Sequence, residues 1–128
     1  MAKEIKELER YPANISLFRM MSKSMFVVSA RDLLLMQHII LDSNTGRLES
    51  VTASIEDPIC PPDENFVRGE MKILGLRVTP AESGKSNVMI ISMANPKGSI
   101  PDMIKSTIAK KQAGRINSML NAFLKRFG

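Results

Sequence analysis

Tryptophan is absent, and the chain holds one tyrosine, one histidine and one cysteine. With Cys60 alone, no intramolecular disulfide can form, and a reducing compartment fits. His38 has no Cys, His or carboxylate at ligand spacing, so no metal site is expected. No nucleophile-elbow pattern accompanies it, so a Ser-His-Asp hydrolase has no support and a strand histidine is the plain reading. Few aromatics, and none interleaved with basic residues on a strand, argue against nucleic acid as a partner. Long apolar runs are missing too. Leu33 to Leu41 is the most apolar stretch, nine residues interrupted by Gln37 and His38, far short of a bilayer span. The start, Lys3-Glu4-Ile5-Lys6-Glu7-Leu8-Glu9, is charged and is not a secretory signal. These absences point to a soluble, cytoplasmic protein.

What is present fits one domain over residues 1–128, with an ordinary 44% hydrophobic and 24% charged composition. The ten methionines suit either plain core filling or an adaptable, ligand-accommodating interior. Net charge is +5, and it has one address. From Asp102 to Phe127 there are six basic residues and one acid, so this stretch carries the whole excess and the residues before it balance.

That terminal stretch opens on the turn Asn95-Pro96-Lys97-Gly98-Ser99-Ile100-Pro101. Ile104, Ile108, Gln112, Ile116, Leu120, Phe123 and Phe127 then recur at steps of four or three, the spacing of one helix face. Ser99 is expected as N-cap, with Pro101 in the first turn and Asp102 at the third position. Lys110, Lys111 and Arg115 read either as a solvated face or as a contact for anionic headgroups. Gly114 marks close packing, a bending point or a tolerated cost of about 1 kcal/mol.

Upstream, residues 3–10 are expected to form a short helix with Ile5 and Leu8 on its apolar side, stopped by Pro12. Asn14–Met21 reads as a strand, and Met25-Phe26-Val27-Val28 leads through Ser29-Ala30-Arg31-Asp32 into a buried strand over Leu33–Leu41. Asp42–Gly46 is a turn, and Arg47–Ile55 the returning strand. The loop Glu56–Glu64, with three prolines and four acids, is expected to be stiff and exposed, with Cys60 inert. Phe66–Met71 and Ile73–Thr79 follow as strands. Gly84-Lys85-Ser86 is a hairpin turn and no phosphate loop, since Thr79 stands where that motif needs glycine and a strand follows. Ser86–Ala94 is apolar on both faces, as a central strand would be. The layout is α+β.

Three segments carry a family resemblance. Val28-Ser29-Ala30-Arg31-Asp32 before a strand, Phe66-Val67-Arg68-Gly69-Glu70 before another, and Asn95–Pro101 before a terminal helix together resemble the START (StAR-related lipid-transfer) domain. The resemblance implies a helix-grip fold (START/Bet v 1-like): a curved antiparallel sheet around a hydrophobic cavity, closed by a long C-terminal helix. It also implies non-enzymatic binding of one lipid, phospholipid or sterol, and its transfer between membranes without a cofactor. The cavity would then be lined by Leu33, Leu35, Gln37 and Ile39, which alternation places on one face, by Leu76, and by Ile104, Ile108, Gln112, Ile116, Leu120 and Phe123. Lys110, Lys111 and Arg115 would meet a peripheral membrane surface.

Gln37 is the polar member of that face. In sterol-binding relatives an arginine can stand at the matching position beside an acid on the preceding strand; here the preceding strand offers Phe18. An amide still binds a hydroxyl or an ester. No aromatic cage for choline is visible. Arg31, Asp32 and Arg68 are expected to be structural partners. The usual N-terminal part of the fold is expected to be absent, leaving the first strand as an exposed apolar edge that a homodimer or a missing N-terminal segment would complete. Two other functions stand beside lipid transfer. One is an incomplete module for protein–protein or membrane docking without lipid. The other is a helix-grip enzyme, which needs titratable groups in the cavity, whereas His38 faces away from Gln37.

Overall fold

Alternating side chains build strands β1 (Ala2–Tyr11), β2 (Ile15–Ser22), β3 (Arg31–Asp42), β4 (Arg47–Ser54), β5 (Val67–Arg68), β6 (Glu70–Pro80) and β7 (Ser86–Asn95). A helix, α1 (Asp102–Ala113), follows. The computed structural model describes residues 2–24, 28–114, 117–118, 121–122 and 125. The strands belong to one compact unit, residues 1–98, and the helical residues to a second, 99–128.

The sheet order is β1-β2-β3-β4-β6-β7, every neighbour antiparallel, and the two-residue β5 adds in parallel to the start of β3. Tight turns set the registers. Ala13 and Asn14, at φ 62 and 59, join β1 to β2 in the left-handed conformation that matches strand twist. In the β3–β4 turn the Gly46 N–H donates to the Asp42 carbonyl at 2.7 Å and the Asn44 N–H to Asp42 Oδ1 at 2.9 Å. That second bond is the main reason the Asp42 carboxyl is held below its ordinary range.

Residues 3–10 are therefore a strand and not a helix. Glu and Lys are good helix formers, but pairing with β2, with Ile5 opposite Met20 and Glu7 opposite Phe18, overrides that preference. As a result β2 is no exposed edge: β1 covers it with a strand in which Lys3, Glu4, Lys6, Glu7, Glu9 and Arg10 are charged. β7, expected in the centre, pairs on one side only, with β6, among the described residues.

Register divides the sheet into two faces. Leu17, Arg19, Asp32, Leu34, Met36 and His38 share one, here the Asp32 face. Ser16, Phe18, Met20, Leu33, Leu35, Gln37 and Ile39 share the other, the Gln37 face. A small core of Leu17, Leu34 and Cys60, backed by Leu8, Tyr11, Met36 and Ile55, sits on the Asp32 face. Cys60 is thus buried, while most of its loop, Glu56, Pro58, Ile59, Pro61, Pro62 and Glu64, is exposed as its composition suggests.

In the second unit, the Pro101 carbonyl accepts the first helical bond, from Lys105 N–H at 3.1 Å. Pro101 is therefore the N-cap, two residues later than expected from Ser99. Asp102 begins the helix at its positive end, and Lys105 Nζ lies 3.7 Å from its Oδ1. Gly114 N–H still donates to the Lys110 carbonyl at 3.3 Å, and helical backbone recurs at 117–118, 121–122 and 125. No helix among the described residues is long and apolar enough to cross a membrane.

Candidate functional site

Asp32 is the buried centre of the Asp32 face. Its side chain is wholly enclosed and accepts from Arg19 Nε at 2.9 Å and from Arg68 Nε and Nη2 at 2.8 and 3.1 Å. Such a carboxylate needs these charge-assisted bonds to be tolerated away from water. The bonds from Arg68 to Asp32 are the main reason its guanidinium is held above an already high ordinary value. Arg19 stacks over Phe66 at 4.9 Å and also donates to Asp63 at 3.4 Å. Asp63 is held below the usual carboxylate range, first by the Asn65 backbone N–H, then by the Asn65 side-chain amide and by Arg19. Arg68 also donates to the carbonyls of Cys60 and Pro61, each at 3.2 Å. The cluster therefore ties β2, β3, β5 and the proline-rich loop together, as the structural reading of Asp32 and Arg68 expects. Beside it lies an open cleft of about 720 Å³, bordered by Leu34, Ile55, Asp57, Cys60, Arg68 and Lys97, which sequence reasoning did not foresee.

Arg31 has a different task. It donates to the Lys97 carbonyl at 2.8 Å and reaches the Pro96 carbonyl at 3.5 Å, binding the start of β3 to the turn after β7. In that turn Lys97 and Gly98 take positive φ, 54 and 68. A Cβ on Gly98 would stand 2.8 Å from Arg31 Nη2 and 3.2 Å from Val67, so glycine suits both the conformation and the space.

The Gln37 face has another chemistry. Leu33, Leu35, Gln37 and Ile39 lie on it together, and Leu76 joins them because Ile39 faces Ser50 and Ser50 faces Leu76. Leu35 is 1% exposed, Leu33, Gln37 and Leu76 are half-buried and Ile39 is exposed. Arg31 is spent on backbone carbonyls; beyond it, no side chain in a paired position of β2, β3, β4, β6 or β7 on this face is charged. Across its middle runs a polar row of Ser16, Gln37 and Thr52, flanked by Phe18 and Leu35 on one side and Ile39, Leu76 and Ile90 on the other. Gln37 Nε2 donates to Ser50 Oγ at 3.1 Å, leaving its carbonyl oxygen as an acceptor. Ser50 and Thr52 were missed as site residues. The β3–β4 hairpin register, which sets Thr52 opposite Gln37, is the signal that finds them.

His38 lies on the opposite face, opposite Val51. No group of three or more His, Cys, Asp or Glu suited to a metal occurs among the described residues. Of the expected helix stripe, Ile104 is half-buried. The side chains of Ile108 and Gln112, and residues Ile116, Leu120, Phe123 and Phe127, lie outside what the structure describes, as do Arg115 and Met25–Val27. Lys110 and Lys111 are exposed.

Among solved structures the chain is similar to human StAR-related lipid transfer protein 5, at 20% identity and TM-score 0.83, covering 98% of this chain and 61% of that one. It is similar to human STARD10 at 18% identity and TM-score 0.84, covering 97% of this chain and 50% of that one. The lipid transfer and protein localization domain of human StarD13 aligns at 22% identity and TM-score 0.67, over 79% of this chain and 51% of that one. The chain thus spans one half to three fifths of the length of these structures. No curated protein sequence matches. These likenesses give the fold, a helix-grip sheet with its C-terminal helix, and the START domain model matches residues 1–128, the whole of the chain. The chain belongs to the START domain family.

Proposed function

We propose that residues 1–128 form a lipid-binding domain that holds one lipid, a phospholipid or a sterol, against the Gln37 face and moves it between membranes. The observation that carries this reading is the face itself: from β2 to β7, apolar rows whose paired positions beyond Arg31 hold no charge, on either side of one amide–hydroxyl pair, Gln37 and Ser50. An apolar wall with a few placed polar groups is the usual form of a lipid or small-molecule site. Gln37 receives the polar end of the lipid, through its free carbonyl oxygen. Family membership and the names of two similar proteins, which describe lipid transfer, support the same reading. In this proposal the stripe Ile104, Ile108, Gln112, Ile116, Leu120 and Phe123 forms the movable wall and the protein is a cytoplasmic carrier, not an enzyme.

Native mass spectrometry of the purified chain, followed by solvent extraction, tests the proposal. A stoichiometric lipid is the expected result; a chain that stays empty after exposure to mixed-lipid vesicles overturns it in favour of docking without cargo. Membrane contact has its own test. Replacing Lys110, Lys111 and Arg115 with Gln together is expected to weaken binding to anionic vesicles by roughly tenfold or more at low salt, at about 1 kcal/mol per basic residue near the surface. Unchanged vesicle sedimentation would assign these charges to solvation alone.

A further inference from the structure

The chain passes from sheet to helix through a short joint. Gly98 ends the first unit, and after Ser99 and Ile100 comes Pro101, whose carbonyl caps α1. Ile100 precedes a proline, which holds it extended, so most of the torsional freedom left in the joint belongs to Ser99. The turn before it is fixed from several sides. Asn95 Oδ1 accepts from the Lys97 N–H at 3.0 Å, and Lys97 and Gly98 both take the left-handed conformation. The Arg31 guanidinium donates to the Lys97 carbonyl and reaches that of Pro96, so one planar fork grips two successive peptide units. Gly69 lets the start of β6 approach the same turn, since a Cβ there would stand 3.1 Å from Leu33 and 3.5 Å from the Pro96 carbonyl. Arg31 is itself held. Its N–H donates to Ser22 Oγ at 3.0 Å, its carbonyl accepts from that hydroxyl at 3.2 Å, and the Ala30 carbonyl accepts from the Val67 N–H at 2.9 Å.

We propose that Arg31 is a positioning residue for the C-terminal helix: it makes the turn Asn95–Gly98 a fixed post, so that the helix swings about Ser99. This rests on the reading of that helix as the movable wall of a lipid site. A wall with one pivot has few orientations, and the closed one is a large share of them. Without the grip, bending spreads back to Pro96–Gly98, the closed orientation loses population, and bound lipid escapes more often. Glycine at position 98 serves the same end, because a Cβ there would displace the Arg31 guanidinium.

Paired spin labels test the post without requiring any lipid. In a C60S background, labels at K72C and S106C, both exposed positions, report the spread of distances between sheet and helix. The reference chain is expected to give a narrow distribution and Arg31→Ala a broad one. Arg31→Lys is expected to fall between them, since an ammonium cannot span both carbonyls. Gly98→Ala is expected to broaden the distribution by itself and to add nothing to Arg31→Ala. A reference distribution already as broad as that of Arg31→Ala overturns the proposal. So does a lower urea midpoint at unchanged width, which would leave Arg31 a role in stability alone. If Arg31→Ala fails to fold, Arg31→Lys and Gly98→Ala decide by the same comparison. In the lipid-loaded chain, Arg31→Ala is expected to release a fluorescent lipid roughly tenfold faster at unchanged stoichiometry, the scale of one hydrogen bond to a charged group. Release at the unaltered rate by a chain that binds lipid overturns the proposal as well. A chain that takes up no lipid removes the transfer reading, and the label widths still decide the post.

Discussion

Asp32→Ala is expected to remove about 3–5 kcal/mol of folding stability, a large part of the 5–15 kcal/mol typical of a domain. The carboxylate is wholly enclosed, and its two partners are themselves mostly covered, with side chains 18% and 21% exposed. Deleting Asp32 strands both guanidinium groups. Arg19 retains a longer bond to Asp63, and Arg68 retains two backbone carbonyls of the proline-rich loop, so neither charge is fully compensated. Urea denaturation reads the loss as a lower midpoint at unchanged slope. Arg68→Ala is expected to cost less, because Asp32 then keeps Arg19. A loss below about 1 kcal/mol for Asp32→Ala would place the cluster with ordinary surface ion pairs.

Ile39→Glu is expected to reduce lipid binding by roughly 100-fold or more, because the lipid would have to cover an unpaired carboxylate at a cost of several kcal/mol. Ile39 is 37% exposed in the chain, so the substitution costs the fold little. Ile40→Glu supplies the control. Ile40 is 45% exposed, adjacent in sequence and on the opposite face, and its replacement is expected to leave binding unchanged. Displacement of a fluorescent lipid measures both variants. Equal binding by the two would remove the Gln37 face from the site.

How much of this was legible from the sequence follows the range of the interactions. β3 and β4 could be read because an Asp-Ser-Asn-Thr-Gly turn fixes their phase, and that phase places Leu33, Leu35, Gln37 and Ile39 together. Leu76 followed from the next alternating strand. Residues 3–10 misled because Ile5 and Leu8 stand three apart among Glu and Lys, which fits a helix turn as well as a charged edge strand; only pairing to β2 separates the two. For β7, apolarity on both faces suggested the centre of the sheet, whereas among the described residues it pairs on one side only, with β6. The burial of Cys60 is a third case. Its loop is acidic and rich in proline, but its burial depends on Leu17, Leu34 and Arg68, none of them a sequence neighbour. The Arg31, Asp32 and Arg68 roles were legible as structural; their partners, the carbonyls of Pro96 and Lys97 and the guanidinium of Arg19, were not.

The bond from Arg31 to Lys97 spans 66 residues, and the Asp32–Arg68 pair spans 36. All the long antiparallel pairings, by contrast, join strands that follow one another along the chain, with only the short β5 interposed. Zippering of hairpins can therefore assemble most of the sheet with small loop-closure costs, while the two arginine ties form only after distant segments have been brought into place. Interactions completed late in folding contribute little to the rate of assembly and much to the rate of escape. The ties thus act chiefly on the lifetime of the folded state, and a chain without Asp32 should form its sheet at nearly the usual speed and lose it far sooner.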